Sequence, residues 1–254
     1  MKKLLSNLII IISLCTFIFF AYKIYNHIKE EKEQNKLNNN IIKSAIIINT
    51  ETEEDENKLP IEVDFNSLKD KNKDIVAWIY SKDTEINYPI VQAKDNNYYL
   101  RRLIDGSYNI AGSLFIDYKN SNDFTDYNTI IYGHNMKNGT MFGTLTKYQK
   151  QEYYDEHKEM YLFTENKNYK IEIFAGYITS SDGELYDFQK KDTIREKLIE
   201  TAIKKSTFKS EIKPLKEDKI ITLSTCSYDF EDARYVLLGI LNEIWCIEVR
   251  FQNL

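Results

Sequence analysis

The chain is poor in cysteine and histidine and carries no excess of positive charge. Its 254 residues include three cysteines, Cys15, Cys226 and Cys246, and so sparse and odd a count does not resemble a disulfide scaffold. The net charge of −5 argues against a nucleic-acid binder that depends on phosphate contacts. With 43% hydrophobic residues the chain can still build a sizeable core, and its 13% aromatic content favours β structure.

A long apolar run lies at the N-terminus. Leu4 to Tyr22 is uncharged, and at about 1.5 Å per residue a helix of this length spans roughly 28 Å, close to the thickness of a membrane's hydrocarbon core. A cleaved signal peptide would need a small-x-small site, which is missing near Ala21. A lipoprotein signal would need a small residue before Cys15, where the sequence has leucine. Residues 1–28 are therefore predicted to be an uncleaved signal-anchor that crosses the cell membrane once.

A polar, charged segment follows this run. The two lysines before the run favour a cytoplasmic N-terminus, which would put the rest of the chain outside the cytoplasm. Residues 29–58 are predicted to be a charged stalk or linker, in which Glu30 to Asn40 can continue the helix and Ile46 to Ile48 are too few to form a core. The acids in Glu51 to Glu56 lack the Gly and Asn spacing of a calcium loop, so we expect a solvated linker there.

Residues 59–254 have the pattern of one mainly β domain with peripheral helices. Short apolar or β-branched runs alternate with polar turns, which predicts roughly eight strands, the last of them from Glu243 to Phe251. Asp64 is expected to cap a short helix, and residues 193–205 have the spacing of a helix with one buried face. The apolar residues of that helix are Ile194, Leu198, Ile199, Ala202 and Ile203. Many short strands in a domain of this size predict a barrel or a sandwich.

The stretch from Ile220 to Ile240 is the strongest candidate for chemistry. A β-branched strand, Ile220 to Thr225, leads to Cys226, and a second strand begins at about Arg234 after a polar turn. An antiparallel hairpin would put the thiol and the guanidinium at the same rim. There the guanidinium can lower the pKa of the thiol or stabilise an oxyanion. The alternative is a buried cysteine that only packs.

His134 follows the apolar run that ends at Tyr132, so it also lies at a strand end. A single histidine in such a place is more often structural than catalytic. A nucleophilic cysteine, however, needs a base, usually imidazole, and arginine supplies a permanent charge. Because a barrel gathers strand ends at a rim, we expect His134, Cys226 and Arg234 to form one site. His27 and His157 are interpreted as surface residues.

Two segments resemble the signature of the sortase family of cysteine transpeptidases: TLSTCSYDFEDARYVLLG (222–239) and IIYGHNM (130–136). A third, DIVAWIYSKDTEINYPIVQAKDNNYYL (74–100), resembles class B sortases in particular. The similarity covers about residues 60–252. It is specific as a combination, whereas each segment alone is a weak signal.

The resemblance implies an eight-stranded sortase-type β-barrel behind an N-terminal membrane helix. It also implies that Cys226 is the nucleophile, His134 the acid and base, and Arg234 the group that positions the substrate or stabilises the oxyanion. Such an enzyme cleaves a C-terminal sorting motif of surface proteins after threonine and transfers the acyl group to an amine of a cell-wall peptidoglycan precursor. It requires no metal and no cofactor. The positions that resemble substrate-binding residues are Ser224, Asn96, Leu100 and Tyr132.

Other functions are compatible with this sequence. A pilus-polymerising sortase would use a lysine side chain as acceptor, and a Cys-His hydrolase would use water. A papain-like enzyme is disfavoured because its cysteine precedes its histidine in the chain. A surface-anchored adhesin would tolerate the loss of Cys226. Cys246, which falls out of step with its alternating apolar neighbours, is predicted to be structural and unpaired.

Overall fold

The computed structural model describes residues 2–48, 59–181, 183, 185 and 192–244. The first element is helix α1, Lys2–Ala45. Its apolar part is long enough to cross a membrane, a property that anchors share with signal sequences. The helix runs unbroken through Glu30 to Asn40, so the predicted helical continuation is confirmed.

A small two-stranded sheet follows α1. Strand β1, Ile46–Ile48, pairs antiparallel with β2, Ile61–Val63. The sequence assigns Ile46 to Ile48 to a linker, yet their pairing makes them part of the compact unit, which begins at Ile41. β-Branched residues readily adopt the extended backbone that such pairing needs. The acidic residues 51–56 lie outside the described residues.

The main sheet closes into an eight-stranded barrel, as expected. Its strands are β3 Ile75–Tyr80, β4 Asn87–Val91, β5 Leu114–Ile116, β6 Asn128–Tyr132, β7 Glu159–Phe163, β8 Asn168–Ser180, β9 Ile220–Cys226 and β10 Ala233–Ile244. Around the barrel the order is β10-β8-β7-β3-β4-β5-β6-β9, and β9 pairs with β10 to close it. Two of the pairs are parallel, β4 with β5 and β6 with β9.

The domain also contains helices outside the sheet. They are α2 Phe65–Lys71, α3 Gln151–Glu156, α4 Asp192–Lys205 and the 3-10 turns Tyr99–Arg101 and Leu145–Gln149. The Asp64 side chain accepts a hydrogen bond from the backbone N–H of Ser67, so the predicted cap of α2 is confirmed. On α4, Ala202 is buried but Ile203 is 48% exposed, so the buried stripe is narrower than predicted. Successive helical residues are turned by about 100°, which takes Ile203 off the face that Ala202 buries.

Strand β10 extends into the first two residues of the predicted last strand. Strand β10 runs from Ala233 to Ile244 without the break expected near residue 241, because it stays paired with β8 as far as Ile244 opposite Asn168. A bulge between Leu238 and Gly239 adjusts its register. Residues 245–254, which include Cys246 and most of the predicted last strand, lie outside the described residues.

The barrel interior is filled by alternate residues of its strands. Ile79, Ile90, Ile131, Leu223 and Leu237 are all at most 1% exposed and belong to one apolar cluster. A second cluster, which includes Val236 and Ala202, joins β8 and β10 to α4 on the outside. Since side chains alternate along a strand, Ser224 and Cys226 lie on the face opposite Leu223.

Candidate active site

Strand pairing brings the three predicted catalytic residues to one rim. Cys226, the last residue of β9, lies directly opposite Arg234 on β10, so the predicted antiparallel hairpin is confirmed. On the other side of β9 the parallel neighbour β6 ends at Tyr132, opposite Ser224. His134 is two residues beyond that end, so it emerges at the same level as the thiol.

Two hydrogen bonds tie the His134 segment to β9. The Gly133 N–H donates to the Ser224 carbonyl at 3.1 Å, and the Asn135 side-chain amide donates to the Cys226 carbonyl at 2.9 Å. Gly133 itself has no room for a side chain, because an added Cβ would lie 2.4 Å from a methyl carbon of Leu114. Glycine therefore lets the chain pass close to the core just before His134 leaves the barrel.

A backbone carbonyl fixes the tautomer of His134. Its Nε2 lies 2.7 Å from the carbonyl oxygen of Leu100, which can only accept. Nε2 therefore carries the proton, and in the neutral ring Nδ1 is the basic nitrogen. Leu100 was predicted to line a substrate pocket, and it also orients the imidazole through its backbone.

Burial lowers the pKa of His134 below its ordinary value of 6.5. The Leu100 carbonyl acts in the opposite direction, whereas the positive charges of Arg101 and Arg234 lower the pKa further. The imidazole is thus neutral at pH 7 and able to accept a proton at Nδ1.

The guanidinium of Arg234 is held by hydrogen bonds from one of its three nitrogens. Its Nη1 donates to the carbonyl oxygens of Asp232 at 3.3 Å and Ala233 at 3.1 Å. Within the part of the chain that the structure describes, these are the protein acceptors of this side chain. Nε and Nη2 remain as donors for a ligand. Cys226 is a partly exposed, free thiol.

All seven residues singled out in the sequence line one cleft of about 280 Å³. They are Cys226, His134, Arg234, Ser224, Asn96, Leu100 and Tyr132. The cleft also contains Phe115, Gly133, Ser181 and Thr225, which sequence reasoning missed. Phe115 pairs with Tyr132 across β5 and β6, and no local pattern in the sequence reveals that register. Among the described residues, no cluster of three or more His, Cys, Asp or Glu side chains could hold a metal ion.

A closed barrel that gathers a thiol, an imidazole and a guanidinium at one cleft has the components of a cysteine-dependent acyl-transfer enzyme. The sortase domain family matches this chain over residues 79–241. Sortase B of Listeria monocytogenes is 37% identical over 242 residues, which cover 94% of this chain and 97% of that protein.

Solved structures agree in fold. The Staphylococcus aureus sortase B–substrate complex superimposes with a TM-score of 0.67 at 32% identity, over 71% of this chain and 85% of that one. A sortase B complexed with triglycine gives the same TM-score and identity, over 71% of this chain and 86% of its own. The chain belongs to the sortase family. It is a class B sortase, a cysteine transpeptidase.

Proposed function

We propose that this sortase joins surface proteins to a cell-wall amine through a thioester on Cys226. The observation that carries the proposal is the shared cleft of Cys226, His134 and Arg234, with the thiol directly opposite the guanidinium. The sulfur attacks the carbonyl carbon of threonine in a C-terminal sorting motif. The C–N bond after threonine breaks, a thioester forms, and the C-terminal fragment leaves as an amine.

His134 moves the protons in both halves of this reaction. Because Nε2–H is held by the Leu100 carbonyl, Nδ1 takes the proton of the Cys226 thiol and delivers it to the leaving nitrogen. In the second half Nδ1 takes a proton from the incoming amine. It returns that proton to the sulfur when the thioester C–S bond breaks.

Arg234 stabilises the oxygen of the threonine carbonyl as negative charge develops on it. Two of its guanidinium nitrogens are left for this purpose, and donors fixed before the reaction are worth most in a site that excludes water. Ser224, Asn96, Leu100 and Tyr132 hold the peptide along the same cleft. Related structures support the two ligand classes, since one is a sortase B in complex with its substrate and another is a sortase B in complex with triglycine.

The acceptor in this proposal is an amine of a peptidoglycan precursor. Residues 1–28 anchor the enzyme in the membrane, residues 29–40 continue the helix as a stalk, and the compact unit that begins at Ile41 carries catalysis outside the cytoplasm. Protease added to intact cells stripped of their wall should then release the domain. A domain protected from that protease, or a mature N-terminus beyond residue 22, would rule out this topology.

The function is tested with the full chain in detergent and a panel of sorting-motif peptides. Intact-mass and peptide-mapping spectrometry should find the N-terminal part of one peptide on Cys226, and triglycine should discharge it as a new amide. An enzyme that releases only the free acid whether or not triglycine is present would be a hydrolase. An enzyme that prefers a lysine-containing peptide over triglycine would be a pilus polymerase.

The acid limb of kcat/KM should reflect His134. Its pKa lies below 6.5 in the folded protein, so Nδ1 stays unprotonated and activity is full above that pH. Activity is lost as the pH falls through the lowered pKa. Because the folded-state pKa is depressed, the contribution of this group to stability is also complete above about 6.5 and is lost as the pH falls further. NMR titration of His134 and a pH–rate profile measure both effects.

Arg101→Gln tests this prediction, because it should shift the pKa of His134 from a position outside the cleft. Arg101 lowers the pKa of His134 through its charge and does not line the cleft. Neutralising it should move the His134 titration and the acid limb together to higher pH. An acid limb at or above pH 6.5 in the unmodified enzyme, or one that stays in place when the His134 titration moves, would contradict the assignment.

A further inference from the structure

A buried carboxylate lies behind the cleft and is not used by the reaction described above. Asp117 follows strand β5 and is 4% exposed. Its Oδ2 accepts hydrogen bonds from the Asn96 side-chain amide and from the Tyr132 hydroxyl, each at 2.9 Å. Its Oδ1 accepts one from the backbone N–H of Lys119, also at 2.9 Å. Three donors thus converge on one carboxyl group.

A buried carboxylate destabilises the folded protein unless its hydrogen bonds are made. Taking a carboxylate out of water carries a large free-energy penalty, which charge-assisted hydrogen bonds of good geometry must offset. A fully satisfied polar network in turn holds its members rigidly. The network around Asp117 therefore fixes the side chains that donate to it. Two of these donors, Asn96 and Tyr132, line the cleft that contains Cys226.

The effect on Asn96 is the most specific. Its Oδ1 accepts the backbone N–H of Tyr118 at 3.0 Å, while its Nδ2 donates to Asp117. These two bonds exclude the flipped amide, in which the oxygen would face the carboxylate. One hydrogen of the amide is used by Asp117, and the other is the donor that Asn96 can offer to a substrate in the cleft.

Tyr132 is constrained in a complementary way. A carboxylate can only accept, so the hydroxyl proton of Tyr132 points to Asp117. Towards any other group the Tyr132 oxygen can then act only as an acceptor. Asp117 thus sets one neighbour to donate into the cleft and the other to accept.

We propose that Asp117 is a positioning residue, which fixes Asn96 as a hydrogen-bond donor and Tyr132 as an acceptor for the peptide backbone of the sorting substrate. This inference rests on the proposed function, because it takes the cleft as the place where the peptide reacts. Asp117 itself does not line the cleft. It acts through Asn96 and Tyr132.

Asp117→Asn tests the proposal with little change in volume. Asparagine has one oxygen for three donors, and its own amide hydrogens oppose one of them. We expect kcat/KM for acylation of Cys226 to fall about 10-fold, as when one well-oriented hydrogen bond to the substrate is lost. Asn96→Ala should cause a similar fall. Asp117→Asn should lower kcat/KM by a clearly smaller factor in the Asn96→Ala background than in the unmodified enzyme, because the part of its effect that acts through Asn96 is already lost.

Asp126→Asn is the matched control. Asp126 also accepts a side-chain amide, from Asn120 at 2.9 Å, and a backbone N–H, from Ser121 at 2.7 Å. Neither of these partners lines the cleft. The Asp126→Asn change should lower thermal stability and leave kcat/KM within twofold. Equal losses of activity in the two Asp variants, or independent, multiplicative effects of Asp117→Asn and Asn96→Ala, would overturn the positioning role.

A measurement on the unmodified protein covers the case in which Asp117→Asn does not fold. With ¹⁵N-labelled asparagine, the two side-chain hydrogens of Asn96 should be distinct and one should exchange slowly with solvent. Rapid averaging of the two hydrogens would overturn the proposal.

Failure of the unmodified enzyme to form an acyl-enzyme would instead reject the proposed function. A normal acylation rate in Asp117→Asn would reject this inference alone.

Discussion

Replacing Cys226 with alanine should reduce acyl-enzyme formation and transpeptidation below detection. The thiol is the nucleophile of the proposed reaction, and no other side chain of the cleft offers a comparable one. Because Cys226 is only partly buried at the end of β9, we expect the free energy of unfolding to change by less than about 1 kcal/mol. Intact-mass spectrometry with a sorting peptide, alongside thermal unfolding, separates loss of chemistry from loss of fold.

Cys15→Ser is the control for this experiment. Cys15 is also a free thiol, but it lies exposed on α1, so its replacement should leave acylation unchanged. Cys226→Ser should be nearly as inactive as Cys226→Ala, since a hydroxyl is rarely ionised near neutral pH. An acyl group that still appears in Cys226→Ala, at whatever residue, would end the assignment of Cys226 as nucleophile.

The second large effect is expected for Arg234→Lys, with a loss of about 10²-fold in kcat/KM. Lysine keeps the positive charge but loses the planar fork of donors. In Arg234, Nη1 is occupied by two backbone carbonyls, and the remaining nitrogens act on the substrate. A single ammonium cannot reproduce both sets of bonds. The pKa of His134, which the charge of Arg234 lowers, should stay nearly unchanged in Arg234→Lys.

That combination distinguishes two roles of the guanidinium. If kcat/KM falls while the His134 titration stays in place, Arg234 acts through directed hydrogen bonds. If Arg234→Lys is close to wild type, only its charge matters. Arg101→Lys, which makes the same change outside the cleft, should have an effect of at most a few-fold. Arg234→Ala with activity within a few-fold of wild type would remove Arg234 from the site.

Local sequence patterns were sufficient to predict the hairpin of β9 and β10 and the rim of the barrel at which Cys226 and Arg234 lie. The β-branched run before Cys226, the polar turn and the apolar run after Arg234 define two strands, and alternation along them sets which side chains share a face. The same logic located His134 just after the end of β6. The closed barrel and the shared cleft are consistent with these short-range signals, and the family resemblance adds the expected number of strands.

What the sequence could not show depends on contacts between distant segments. The Leu100 carbonyl that sets the His134 tautomer belongs to a turn 34 residues earlier in the chain. The carboxylate of Asp117 meets Asn96 across 21 residues and Tyr132 across 15. The periodicity of apolar residues describes one secondary-structure element at a time, so it identifies Asp117 only as a polar residue that follows a strand. Its burial becomes evident only when the barrel is closed.

The parallel pairing of β6 with β9 also governs when reactivity can arise. Asn135 and Cys226, joined by a hydrogen bond, are 91 residues apart in the chain, and closing so long a loop slows folding. During synthesis the imidazole segment emerges well before the thiol segment. Before β9 pairs with β6, Cys226 does not have the His134 segment beside it. In the proposed mechanism, the reactivity of the thiol is therefore a property of the folded barrel and not of the local sequence around Cys226.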